Sequence, residues 1–159
     1  MIDPELDLTL QRIIRAPRQR IWDAWTRPEQ LAKWWTPSPT VTRVERLEPR
    51  PGGALVTQMS DDGETFVPHM DAVFLVVDDN ERLVFTNAID SSWRPAEPAP
   101  VPMTAEITFA EHTNGTQYSV VVRHGNPSDR DRHHELGFYD GWGSATAALT
   151  ELVESEARQ

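Results

Sequence analysis

Apolar and polar residues alternate near the start of the chain, which is the period of a strand with one buried face. Leu6, Leu8 and Leu10 are separated by single polar residues. This pattern predicts a half-buried first strand that ends at about Ile14. The alternation stops there, so a different element follows.

The next stretch has a helical period. It begins at Ala16-Pro17, and proline is favourable in the first turn of a helix. Apolar side chains then recur at helical spacing, at Ile21, Trp22 and Trp25. Pro28 ends this helix, and a second short helix is predicted over residues 29–34. Two prolines make the turn at residues 36–39 rigid.

Between residues 41 and 124 the pattern indicates only strands. Six segments have strand character: 41–47, 54–59, 65–77, 82–88, 103–109 and 117–124. Most of their connections carry residues typical of tight turns, such as Asp61-Asp62-Gly63 and Asn114-Gly115. Sequential strands joined by short turns predict an antiparallel meander.

A last helix is predicted from a cap at Ser128 or Asp129 to about Glu154. Its apolar residues form one stripe: Phe138, Trp142, Ala145, Leu149 and Leu152. Such a stripe needs an apolar partner, and the sheet is the only large one. The order of elements therefore predicts an α+β helix-grip fold. In this fold, a curved antiparallel sheet of about six to seven strands wraps around a long C-terminal helix, and two short helices follow strand 1.

Length and charge narrow the function classes. The chain has 159 residues, so we expect one domain over residues 1–159, with its core at about 6–153. The net charge of −10 disfavours nucleic-acid binding. The absence of cysteine excludes disulfides and thiolate sites. No signal peptide or membrane-length apolar run is evident, so we expect a cytoplasmic protein without membrane association.

Several short motifs occur in a recognisable order: Ala16-Pro17, Ile21 to Thr26, Pro28 to Leu31, Trp34-Trp35, Arg50 to Gly53, Glu81 to Thr86, Ile107 to Phe109, Gly115-Thr116 and Gly141-Trp142. Together they resemble the SRPBCC (START-like, helix-grip) superfamily, in the branch similar to activators of heat-shock protein 90 ATPase. The resemblance covers roughly residues 6–153. It implies a cavity between the sheet and the terminal helix.

Strand alternation predicts which side chains face that cavity. Inward positions include Met103 to Phe109 on one strand and Tyr118 to His124 on its neighbour. The predicted wall comprises eleven residues: Trp34, Trp35, Met70, Phe85, Trp93, Met103, Tyr118, His124, His134, Phe138 and Trp142. An apolar chamber with one or two polar tips is typical of a small-molecule site. For any single aromatic residue, simple core packing is the favoured interpretation, and the prediction concerns the chamber as a whole.

The histidines are the main candidates for polar chemistry. His124 ends an apolar row and is the preferred polar residue of the pocket, whereas the direction of His69, after Pro68, stays open. No helix carries two histidines at metal-binding spacing, so we expect neither a metal nor a cofactor. The chain also lacks the motif of a serine nucleophile and the glycine pattern of a phosphate loop.

The proline-rich segment at residues 94–100, which follows Trp93, has two interpretations. It is a rigid connection between two strands, or it covers the mouth of the pocket and places Trp93 on the ligand.

Three functions remain open. The first is the binding of an apolar small molecule. The second is a cofactor-free enzyme similar to polyketide cyclases and aromatases of the superfamily, with His124 as base or acid. The third is a chaperone regulator in the stress response. The eukaryotic co-chaperones have an additional N-terminal domain, whereas the first predicted strand starts here at about residue 6, so we do not expect a chaperone partner. An edge strand would allow a homodimer, which the pattern does not require.

Overall fold

Seven strands and four helices form the fold in the computed structural model, which describes residues 1–157. The strands are β1 (Asp7–Ile14), β2 (Val41–Leu47), β3 (Ala54–Ser60), β4 (Val67–Asp78), β5 (Arg82–Thr86), β6 (Thr104–His112) and β7 (Gly115–Arg123). The helices are α1 (Arg18–Thr26), α2 (Pro28–Leu31), α3 (Pro127–Glu135) and α4 (Phe138–Ala157). The predicted order of elements is confirmed.

All strand pairs are antiparallel, and the sheet has the order β1-β7-β6-β5-β4-β3-β2. Strand β1 therefore pairs with β7, the last strand of the chain, and β2 forms one edge of the sheet. We call the side of the sheet that faces the helices the inner face. The predicted inward rows of β6 and β7 are buried, with Ile107 and Val122 at 0% exposure.

Helix α4 lies against β1 and α1. Its buried residues include Phe138, Leu149 and Val153, while Trp142, Ala145 and Leu152 are partly buried against the same core. The apolar stripe predicted from the sequence is thus the packed side of this helix. None of the described helices is long and apolar enough to cross a membrane.

The prediction of one uninterrupted terminal helix is wrong. Two helices are present, and the break lies at Gly137, whose φ of +96° is a backbone conformation that favours glycine. The cap is also different from the one predicted. Asn126, rather than Ser128 or Asp129, is the capping residue, and its side-chain oxygen accepts a hydrogen bond from the Asp129 backbone N–H at 2.8 Å.

The connection between β5 and β6 folds onto the outer face of the sheet. Asp71 alternates with the inward-facing Ala72 and therefore points outward, and it accepts a hydrogen bond from the Ser91 backbone N–H at 2.7 Å. Trp93 in the same connection donates its indole N–H to the Gly52 carbonyl oxygen at 2.9 Å and is 70% exposed. These contacts hold Trp93 against the turn between β2 and β3, and its contact with a ligand stays a prediction.

Candidate ligand site on the inner face of the sheet

A cluster of aromatic rings fills the space between the first helices and the sheet. The Trp25 and Trp34 ring centroids are 5.0 Å apart, and Trp25 and Phe85 are 5.9 Å apart. All three side chains are nearly inaccessible to solvent. Trp34 and Phe85, two of the predicted wall residues, are therefore packed parts of the core.

Tyr118 is also a core residue. Its hydroxyl oxygen accepts a hydrogen bond from the Trp25 indole N–H at 3.1 Å, and the side chain is 1% exposed. Burial raises the pKa of Tyr118 well above its ordinary value, so the phenol keeps its proton. Met103 and Phe138 are likewise buried in the same core. These three predicted wall residues therefore fill the core.

His124 is buried as expected, but both of its ring nitrogens are occupied. Nδ1 lies 2.8 Å from the Leu6 carbonyl oxygen, and Nε2 lies 2.8 Å from Nδ1 of His133. Because a carbonyl oxygen only accepts, Nδ1 of His124 donates to Leu6, and Nε2 shares a single hydrogen with Nδ1 of His133. His124 therefore ties β7 to β1 and α3, and the cyclase hypothesis loses the free base on which it depended.

The adjacent histidines of α3 have different surroundings from those predicted. His133 contacts His124 and packs edge-on against the Phe138 ring at 5.2 Å. Desolvation, with a further contribution from charge on His124, lowers the pKa of His133 to about 4. His134, the predicted wall residue, is exposed and contacts Tyr139 instead. The sequence gives little indication that His133 contacts His124, because the orientation of α3 relative to α4 depends on the backbone at Gly137.

A β-bulge in β4 orients His69 towards the inner face. Thr57 of β3 pairs with Met70, but the next residue of β3 pairs with Pro68, so His69 is an extra residue in β4. Its Nδ1 lies 3.2 Å from the Thr57 hydroxyl oxygen, and the same oxygen accepts a hydrogen bond from the Trp35 indole N–H at 3.2 Å. We call Trp35, Thr57 and His69 the inner-face triad.

The inner face becomes more open along β3 and β4. Leu55 and Ala72 are completely buried, Met70 is partly buried, and His69 is exposed at the edge of the packed interior. Desolvation lowers the pKa of His69 because the protein covers part of its ring. The next residues on the same face, Met59 and Val67, line a depression of about 250 Å³ together with the polar residues Ser60, Asp61, Asp62 and Thr65. We call this path from the inner-face triad to Met59 and Val67 the inner-face cleft.

A second depression, of about 690 Å³, lies at the other end of the strands. Polar residues dominate its lining, among them Arg18, Asn80, Glu111 and His112. Neither depression is lined by any of the eleven predicted wall residues. Of those eleven, the structure brings Trp35 and Met70 together at the inner-face cleft. Trp142 is partly buried on α4 and stacks on Phe138 at 5.8 Å.

The described part of the chain contains no candidate metal site. Residues 1–157 contain no group of three or more His, Cys, Asp or Glu side chains that could hold a metal ion. The sequence pattern does not indicate a role for Thr57, and it leaves the direction of the His69 side chain open. Pro68 was the available signal, because proline inside a sheet is typical of an edge strand or a bulge.

Comparison with known proteins gives one matching family and several similar structures. A family model described as "Activator of Hsp90 ATPase homolog 1-like protein" matches residues 15–154. A crystal structure of a protein from Nitrosomonas europaea is 38% identical, with 98% of this chain and 99% of that chain covered and a TM-score of 0.85. A Mycobacterium smegmatis protein is 25% identical, with 94% and 91% covered and a TM-score of 0.76. No curated protein matches the chain.

Proposed function

The chain belongs to the Activator of Hsp90 ATPase homolog 1-like family, and on that premise we propose that it binds an apolar small molecule in the inner-face cleft. The fold of this family supports ligand binding in general. In this chain, the inner face offers a ligand both apolar surface and a polar group.

The observation that carries the proposal is the bulge at His69. A regular strand would place His69 on the outer face, because its neighbour Met70 faces inward. The extra residue places both side chains on the inner face, opposite Thr57. Bulges commonly redirect a side chain beside a functional site.

The composition of the cleft also supports the proposal. Met70 and Trp35 supply apolar surface next to the imidazole of His69, and both are only partly buried. Small-molecule sites are mostly apolar with a few placed polar groups. Methionine adapts its shape to different apolar partners because its side chain is unbranched and flexible.

A fluorescence titration with the apolar probe N-phenyl-1-naphthylamine tests this proposal. Met70→Trp fills the cleft and is expected to weaken probe binding at least about tenfold, or about 1.4 kcal/mol. Leu75→Trp is the matched control, because Leu75 lies five residues further along the same strand and is 44% exposed. We expect Leu75→Trp to bind the probe as the wild type does.

Two outcomes contradict the proposal. One is a wild-type protein that does not bind the probe. The other is equal probe affinity in Met70→Trp and the wild type, with both variants shown to be folded by their far-ultraviolet circular dichroism. Mass spectrometry of molecules that co-purify with the wild type and are lost from Met70→Trp gives a second, independent measure of the same site.

A further inference from the structure

The hydrogen bonds of the inner-face triad have a defined direction. The indole N–H of Trp35 is only a donor, so the Thr57 oxygen accepts it. Thr57 is 1% exposed, and its own hydroxyl hydrogen therefore needs a protein acceptor. Nδ1 of His69, 3.2 Å away, is a suitable acceptor.

This direction determines the tautomer of His69. If Nδ1 accepts the Thr57 hydrogen, the hydrogen of the neutral imidazole must be on Nε2. The opposite tautomer would make Nδ1 a donor to Thr57 and would leave a buried hydroxyl hydrogen without an acceptor, which is unfavourable. Nε2 has no hydrogen-bond partner among residues 1–157, so its N–H is available to a ligand.

We infer that the inner-face cleft presents the Nε2–H of a neutral His69 as its hydrogen-bond donor, and that it takes apolar molecules carrying an uncharged oxygen acceptor, such as a ketone or ester carbonyl. This inference rests on the proposed function and specifies its ligand class. Desolvation, which lowers the pKa of His69, also favours the neutral ring.

A carboxylate ligand fits this cleft less well than a carbonyl. A carboxylate loses more hydration than a carbonyl when it enters the cleft, and a neutral imidazole offers it no opposite charge in return. The protein as a whole carries a net charge of −10, which repels anions at long range. The cleft therefore discriminates by the presence of an acceptor oxygen and by the absence of charge.

Three probes of similar shape test the inference by isothermal titration calorimetry. They are 2-acetylnaphthalene with a ketone, 2-ethylnaphthalene without an acceptor, and 2-naphthoate with a charge. We expect the wild type to bind the ketone about tenfold more tightly than the ethyl compound, as one hydrogen bond allows. We also expect 2-naphthoate to bind more weakly than the ketone.

His69→Phe removes the donor and keeps an aromatic ring, so it is expected to bind the ketone and the ethyl compound equally. His112→Phe is the matched control, since His112 is an exposed histidine at the far end of the sheet. It is expected to keep the tenfold preference. Nitrogen-15 NMR of the imidazoles reads the tautomer without any ligand, and we expect the His69 hydrogen on Nε2.

The outcomes separate this inference from the proposed function. If the wild type binds the ketone and the ethyl compound equally, the inference is wrong but the cleft still binds apolar molecules. If neither compound binds, the proposed function fails as well. The inference is also overturned if 2-naphthoate binds more tightly than the other two compounds. A hydrogen on Nδ1 of the His69 ring would overturn it as well.

Discussion

Replacing His133 with glutamine is expected to make the protein less sensitive to acid. In the wild type, Nδ1 of His133 lies 2.8 Å from Nε2 of His124, and a single hydrogen occupies this contact. A second proton on the pair would place two N–H groups against each other. His133→Gln removes the group that must accept that second proton while keeping a polar side chain on α3.

The sign follows from the two pKa values of His133. The pKa of His133 is about 4 in the folded protein, whereas an unfolded histidine titrates near 6.5. The unfolded chain therefore binds more protons between these values, and stability falls as the pH is lowered through that window. The interval corresponds to at most about 3.5 kcal/mol, at about 1.4 kcal/mol per pH unit. Because the ring is partly exposed, we expect about half of this.

Urea unfolding at pH 7.5 and pH 4.5, followed by circular dichroism at constant salt, measures the effect. The wild type is expected to lose about 1.5 kcal/mol more than His133→Gln between the two pH values. Carboxylates with lowered pKa values, such as Asp62 with a pKa of about 2, contribute equally to both proteins. His134→Gln is the control, because this adjacent histidine is exposed, and it should follow the wild type.

Parallel pH dependences of the wild type and His133→Gln would refute this reasoning. They would mean that the contact between the two rings does not restrict protonation of His133. A loss of acid sensitivity in His134→Gln would be equally damaging, because it would assign the titration to the wrong histidine.

Three further substitutions have expected outcomes in urea unfolding. Tyr118→Phe should cost about 1–2 kcal/mol, because the buried indole N–H of Trp25 loses its acceptor; unchanged stability would contradict that contact. Gly115→Ala should cost more than about 2 kcal/mol, because its φ is +136° and a Cβ would collide with the last carbonyl of β1; a well-tolerated alanine would argue against this pairing. Trp93→Ala should lower stability by about 1 kcal/mol, because the contact with Gly52 is lost. The affinity for N-phenyl-1-naphthylamine should not change. A weaker affinity for this probe would place Trp93 at the ligand site.

The fold was largely predictable because local patterns and tertiary packing agree. Alternating leucines gave β1, and the turn at Asn114-Gly115 gave the β6–β7 hairpin. The apolar stripe from Phe138 to Leu152 faces the core as expected. The break at Gly137 was not predicted, because the helical period continues across it and only its positive φ reveals the bend.

The site was much less predictable. Burial of Tyr118 and His124 followed from strand alternation, but alternation does not show whether a buried side chain lines a cavity or fills it. His69 could be placed only by a bulge, which depends on the register between β3 and β4. The position of Trp93 depends on its contact with Gly52 and on the contact of Ser91 with Asp71, and both partners are distant in sequence.

Methionine methyl NMR gives the most direct test of the inner-face cleft, because the chain has four methionines in different surroundings. Met59 and Met70 lie along the cleft, Met103 is buried in the core, and Met1 is exposed. During a titration with 2-acetylnaphthalene, we expect large shifts of the Met59 and Met70 methyl signals and little change at Met1 and Met103. Shifts confined to Met103, or no saturable shift at Met70, would contradict it.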